Sequence, residues 1–122
     1  MKKIINKIVL SPNNTLSEAI NNLNNSGLQI IILTDENNIL IATVTDGDIR
    51  KGLVNGIKLN DKIIKVANLN PKYVKLNTNK NEIINLFQNF DYKALPVLDE
   101  NKKVINCHFF KDFHNFKTIN SP

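Results

Sequence analysis

Residues 39–53 read ILIATVTDGDIRKGL, and their reading decides the fold. Ile39 to Val44 is an apolar run of branched and small residues, the composition of a buried strand. At Thr45-Asp46-Gly47-Asp48 the period changes, and Ile49, Leu53 and Val54 then fall at helical spacing. A strand therefore runs directly into a helix over Asp48 to Val54, closed by Asn55-Gly56. Such a junction aims backbone N–H groups and the positive end of a helix at one spot, which suits a phosphate. Thr45, Asp46, Asp48, Arg50 and Lys51 surround that spot. Asp48 can accept from sugar hydroxyls, Thr45 can donate to a phosphate oxygen, and Arg50 can pair with phosphate charge. This is the chemistry of binding, not of catalysis. The same residues carry a second reading. Thr45-x-x-Asp48 has the spacing of a capping box, and Asp46 and Asp48 suit a first helical turn with no ligand at all.

Upstream, Lys7 to Leu10 is a short apolar stretch stopped by Ser11-Pro12-Asn13-Asn14. Thr15-x-x-Glu18 is a capping box, and the helix it opens carries Leu16, Ala19, Ile20 and Leu23 on one face. Gly27 suits the left-handed position that ends it. Leu28 to Leu33 reads as a buried strand, and Asp35-Glu36-Asn37-Asn38 as the turn before residue 39. The order is strand, helix, strand, strand, helix.

The second half repeats this order. Asp35 and Asp99 each end a strand and lie 64 residues apart. The same offset, without gaps, pairs Glu18 with Glu82, Ile20 with Ile84, Asn21 with Asn85 and Asn25 with Asn89. It also pairs Glu36 with Glu100, Asn37 with Asn101, Ile41 with Ile105 and Asp48 with Asp112. Composition alone yields about three such matches over this span, so a duplication is the simpler account. The second unit reads as strand (Tyr73 to Leu76), helix (Lys80 to Phe90), strands (Ala94 to Leu98, Val104 to Phe110) and a short helix (Lys111 to Phe116). The chain is thus α/β (α+β), two pseudo-symmetric β-α-β-β-α units with a ligand cleft expected between them. The expected boundaries are 1–58 for the first unit, 59–69 for a connector and 70–122 for the second.

Two tandem units of this order, with Thr-x-x-Asp at the last strand-to-helix junction, resemble a pair of cystathionine-β-synthase-type (CBS) domains, the Bateman module. VTDGDIRKGL (Val44 to Leu53), Leu69-Asn70-Pro71 and ALPVLDENKKVI (Ala94 to Ile105) carry the resemblance, which covers nearly the whole chain. It implies a regulatory, non-catalytic module that senses an adenine nucleotide (AMP, ADP or ATP) and requires no cofactor. Carried over, Asp48 would hold the ribose and Thr45 the phosphate. Asp46, Gly47, Arg50 and Lys51 would complete that end of the site, and Val9, Leu10, Ile31 and Ile32 would be its apolar walls. The second unit departs from the pattern: Asp112 matches Asp48, but Phe109 stands where Thr45 stands. A phenyl ring cannot donate to phosphate, so one functional site is expected and the Phe109/Asp112 site is degenerate. The wording TDGDIR also resembles the CBS pair ahead of a bacterial sugar-nucleotidyltransferase. That implies a C-terminal nucleotidyltransferase domain in a longer parent chain. CBS pairs commonly dimerise, so a homodimer is expected, with Phe110, Phe113 and Phe116 as interface residues. The alternative is a structural dimerisation module that binds no nucleotide.

Composition narrows the remaining classes. An apolar fraction of 42% supports a packed core. No apolar run approaches the length of a membrane span, and MKKIINKIVL is too short and too interrupted for a signal peptide. Cys107 is the one cysteine, so a disulfide framework is excluded and a cytoplasmic setting is expected. The net charge of +5 comes from scattered lysines, with Arg50 the only arginine, which argues against a nucleic-acid surface. Cys107 and His108 are adjacent on a strand and point to opposite faces, and with His114 they make no metal set. No nucleophile elbow or acid/base pair emerges, so no enzyme is expected in these residues.

Overall fold

The computed structural model describes residues 4–113. A 3-10 turn over Ile4–Lys7 leads into β1 (Val9–Leu10), α1 (Leu16–Ser26), β2 (Ile30–Thr34), β3 (Leu40–Thr45) and α2 (Asp46–Val54). A second 3-10 turn, Ile63–Val66, follows, and then β4 (Val74–Lys75), α3 (Lys80–Asn89), β5 (Ala94–Leu98) and β6 (Val104–Phe109). Residues 110–113 continue from β6 in helical conformation. Three strands form each sheet, in the orders β1-β2-β3 and β4-β5-β6, with the first pair parallel and the second antiparallel.

The 64-residue repeat holds to the register. Ile30 pairs with Thr45 and Ala94 with Phe109, and the bulge at Leu33/Thr34 recurs at Val97/Leu98. In the first hairpin turn Asp35 Oδ1 accepts from the N–H groups of Asn37 and Ile39; in the second, Asp99 Oδ1 accepts from Asn101 and Lys103. Asn38 and Lys102 both adopt φ +67° in these turns. The two turns meet: Asn38 Nδ2 donates to the Val104 carbonyl at 2.7 Å, and Val104 N–H donates to the Asn38 carbonyl at 3.0 Å.

Alternation along the central strands divides the core in three. Ile31 and Leu33 face α1, α2 and the second 3-10 turn with Leu16, Ala19, Val44 and Ile63. Leu95 and Val97 face α3, with Ile83 and Phe87. Ile30 and Ile32 of β2 meet Ala94, Leu98 and Val104 of the other unit, which seals one sheet against the other. The stretch expected as a connector packs on the first unit: Ile63 is fully buried, and Asp61 and Leu59 carbonyls accept the N–H groups of Leu16 and Ser17 at the open start of α1.

Helix α2 buries a different face from the expected one. Ile49 and Gly52 are inside, while Leu53 and Val54 are 42% and 81% exposed. Gly52 makes this possible by letting the helix approach Val66. A Cβ placed there would overlap Val66 Cγ1 and stand 3.2 Å from Val66 Cβ. Gly52→Ala is therefore expected to reverse the usual gain of an alanine inside a helix. Helix propensity favours it by about 1 kcal/mol, but overpacking a stiff β-branched neighbour costs about 1–3 kcal/mol. A lower urea midpoint at unchanged slope is the expected result.

Candidate functional site

Strand β3 and helix α2 meet at Thr45, which is both the last strand residue and the N-cap of the helix (φ −113°, ψ 170°). The capping box is complete. Asp48 N–H donates to Thr45 Oγ1 at 3.3 Å, and Asp48 Oδ2 accepts from Thr45 N–H at 2.9 Å and from Thr45 Oγ1 at 3.1 Å. This changes the expected division of labour. A hydroxyl has one proton, and Thr45 directs it to Asp48, so Thr45 offers a ligand an acceptor rather than the expected phosphate donor. Asp48 gives Oδ2 to the cap, which leaves Oδ1 outside it. The N–H groups of Asp46 and Gly47 have no acceptor inside the helix. Capping and binding are thus compatible at this junction, because they use different atoms.

The junction opens on a cleft of about 770 Å³ between the two units, within the range of small-molecule sites. From the first unit it is lined by Thr43, Thr45, Asp46, Gly47, Asp48 and Arg50, with Gln29 and Ile30 below them. The second unit supplies Lys72, Asp91, Tyr92, Lys93, Ala94 and Pro96, and Asn68 closes one side. Asn68 is held there by a two-way backbone pair with Thr43 at 2.9 and 3.2 Å. Tyr92 stacks on Phe90 with ring centres 5.4 Å apart, so an aromatic ring is fixed on the wall facing the junction. Arg50 pairs with Asp46 at 3.0 Å, both side chains well exposed. An exposed pair of this kind contributes about 0–1 kcal/mol, too little to hold Arg50 against a phosphate.

Five expected residues lie outside this cleft: Val9, Leu10, Ile31, Ile32 and Lys51. Ile31 and Ile32 are fully buried, because a strand covered on both faces sends alternate residues into two different cores and neither toward the cleft. Val9 and Leu10 border a separate depression with Ser11, Pro12 and Glu36. Lys51 is exposed on α2 outside the cleft lining. The residues missed by sequence reading, Asn68, Lys72, Tyr92 and Lys93, belong to or border the other unit. Only the pseudo-twofold packing brings them to Asp48.

At the symmetry-related junction the residue in the place of Thr45 is turned into the core. Phe109 is buried in one cluster with Ile5, Ile8 and Cys107. At the offset of 64, Ile5 and Ile8 correspond to Leu69 and Lys72, so the N-terminal turn takes the place that the segment beside Asn68 takes in the open cleft. Asn22 Nδ2 anchors that turn through the Lys7 carbonyl at 2.7 Å. Burial pushes the Cys107 thiol up to about 12. Burial also lowers the His108 pKa, against an opposing pull from Asp112, and the ring stands edge-on to Phe113 at 5.5 Å. Of the expected interface residues, Phe113 packs on Phe87 at 5.2 Å within the second unit's core, and Phe110 is partly exposed beside the same ring. Phe116 and His114 lie outside the described residues. Among the described residues no cluster of three or more His, Cys, Asp or Glu side chains is placed to hold a metal ion, and no helix is long and apolar enough to cross a membrane.

The fold and cleft define a tandem β-α-β-β-α module with a ligand-sized opening between its halves. The sequence profile of the CBS domain matches residues 1–55 and again 63–106. The chain belongs to the CBS domain family, as a CBS pair. A protein of Helicobacter pylori (strain J99) is 27% identical over 98 residues, 80% of this chain and 30% of that protein. Arabinose 5-phosphate isomerase GutQ of Salmonella typhi is 26% identical over 100 residues, 82% of this chain and 31% of the isomerase. The chain thus spans about 30% of the length of these curated relatives. Among solved structures, the CBS domain pair of protein MJ0100 in complex with 5′-methylthioadenosine and S-adenosyl-L-methionine superimposes with TM-score 0.81 at 18% identity, over 93% of this chain and 90% of that one. The CBS domain protein PAE2072 of Pyrobaculum aerophilum, complexed with AMP, gives TM-score 0.77 at 17% identity, over 86% and 81%. At these identities the likeness shows the fold.

Proposed function

We propose that the chain is a regulatory CBS pair that binds one adenine nucleotide in the cleft at Asp48. The observation that carries this is the junction itself. Asp48 and the first residues of α2 line a cleft of about 770 Å³ together with Tyr92 and two lysines of the second unit. A sugar hydroxyl, an anion and a base each find a partner there. The structures of the same fold named above, PAE2072 with AMP and MJ0100 with 5′-methylthioadenosine and S-adenosyl-L-methionine, support an adenine-bearing ligand. Because both units line the cleft, a ligand in it favours one arrangement of the pair over others, and that difference in affinity is the regulatory signal.

A thermal-shift series with AMP, ADP, ATP and GTP, run beside Asp48→Ala, tests the reading. At a hundredfold excess over the dissociation constant the bound form gains about 2.7 kcal/mol, so the melting temperature rises for the wild type and stays flat for Asp48→Ala. No shift in the wild type up to millimolar nucleotide refutes it.

The second reading, an assembly module without ligand, draws on two observations. The Thr45/Asp48 cap is complete without a ligand, and Val54 and Leu59 stand 81% and 54% exposed, apolar surface for a homodimer to cover. For the parent chain, the TDGDIR wording favours a nucleotidyltransferase partner domain and the match to GutQ a sugar-phosphate isomerase. On either reading the module would sit beside an enzyme that handles activated or phosphorylated sugars, in the cytoplasmic setting that the single cysteine favours.

A further inference from the structure

We infer that Lys72 and Lys93 make the cleft selective for a phosphorylated ligand over the uncharged nucleoside, an inference that rests on the nucleotide reading above. The charged groups lining the cleft are Arg50, Lys72 and Lys93 against Asp46, Asp48 and Asp91. Their commitments differ. Arg50 is paired with Asp46 at 3.0 Å. Asp48 gives one oxygen to the helix cap. Lys72 and Lys93 are both exposed, and among the described residues neither takes part in an ion pair. The second unit therefore adds two positive charges that no ion pair engages to Arg50 of the first unit, which is held only by an exposed pair. A phosphate between the two units meets ammonium groups on one side and helix N–H groups on the other.

The internal repeat supplies an independent argument. At the offset of 64, Lys72 corresponds to Ile8 and Lys93 to Gln29, while Thr45 corresponds to Phe109. On the other side Ile8 and Phe109 are buried together in the core. Lys72 thus stands on the side that keeps a cleft and a polar junction, whereas its counterpart Ile8 is buried beside Phe109; Gln29, the counterpart of Lys93, lines the same cleft as Lys93. If Lys72 served general solvation of the fold, the other half would have the same need for it.

An uncharged nucleoside keeps the contacts to Asp48 and Tyr92 but gains nothing from the lysines. A 5′-phosphate adds two charge-assisted contacts in a site shared with solvent, which together are expected to tighten binding about tenfold or more. Isothermal titration of AMP, adenosine and 5′-methylthioadenosine into the wild type and into the double variant Lys72→Met/Lys93→Met tests this. Both side chains are exposed, so folding is expected to survive, and a matching circular dichroism melt verifies it. AMP binding at least tenfold tighter than adenosine in the wild type, with the ratio falling to within about threefold in the variant, supports the inference. Equal binding of AMP and adenosine by the wild type overturns it and leaves the nucleoside site standing. A phosphate preference that persists in the variant also overturns it, moving selectivity to the helix N-terminus and Arg50. No binding of any of the three overturns the nucleotide reading itself, and this inference with it.

Discussion

Phe109→Ala is expected to cost the fold about 3–5 kcal/mol, the range for removing a buried aromatic ring. The ring is 6% exposed and sits among Ile5, Ile8, Ala94 and Cys107. Those residues come from the N-terminal turn and from both strands of the second hairpin, so they cannot collapse together into the space it leaves. At the corresponding place in the first unit, Thr45 carries no core packing and caps a helix instead. The same 64-residue position is thus structural in one unit and open to a ligand in the other. Urea unfolding monitored by circular dichroism measures the loss; a change under 1 kcal/mol would mean that the second junction is not packed shut.

Ile63→Ala is expected to cost about 2–5 kcal/mol, as for other large-to-small changes at fully buried aliphatic sites. Ile63 is 0% exposed and belongs to the cluster formed by Leu16, Ile31, Leu33, Ala42, Val44 and Ile49. Its backbone N–H donates to the Asn14 carbonyl at 2.7 Å, which ties the connector to the start of α1. A tether between two independent units would tolerate the change, and a measured cost near zero would restore that description. Because the cleft takes Asn68 from the same segment, the variant also reports on the site: a loosened connector frees the Asn68 pairing with Thr43.

Much of the fold was legible because its turns are chemical signals. Asp35 and Asp99 nucleate the same hairpin turn through the same side-chain bonds, and the strands around them follow from branched apolar runs. The capping boxes at Thr15 and Thr45 appear at the positions their spacing indicated. What was not legible depends on packing between units. Ile31 and Ile32 read as cleft walls, but burial on both faces of β2 carries them into separate cores. Leu53 and Val54 fall at helical spacing with Ile49, but α2 packs closely on Val66 at Gly52 and leaves both of them exposed. Part of the cleft arrives from the second unit through the pseudo-symmetric packing, so Lys72, Tyr92 and Lys93 carried no local mark of a site. Ile5 carried no local mark of a core position; its place in one cluster with Ile8 and Phe109 comes from packing against the second unit.

The central claim is that one cleft of two is open and takes a nucleotide through Asp48. Equilibrium dialysis of labelled AMP against the chain at saturating ligand tests it most directly. One nucleotide per chain, lost in Asp48→Ala and retained in Asp112→Ala, is the expected result. Two nucleotides per chain, or binding lost in Asp112→Ala and kept in Asp48→Ala, would contradict it.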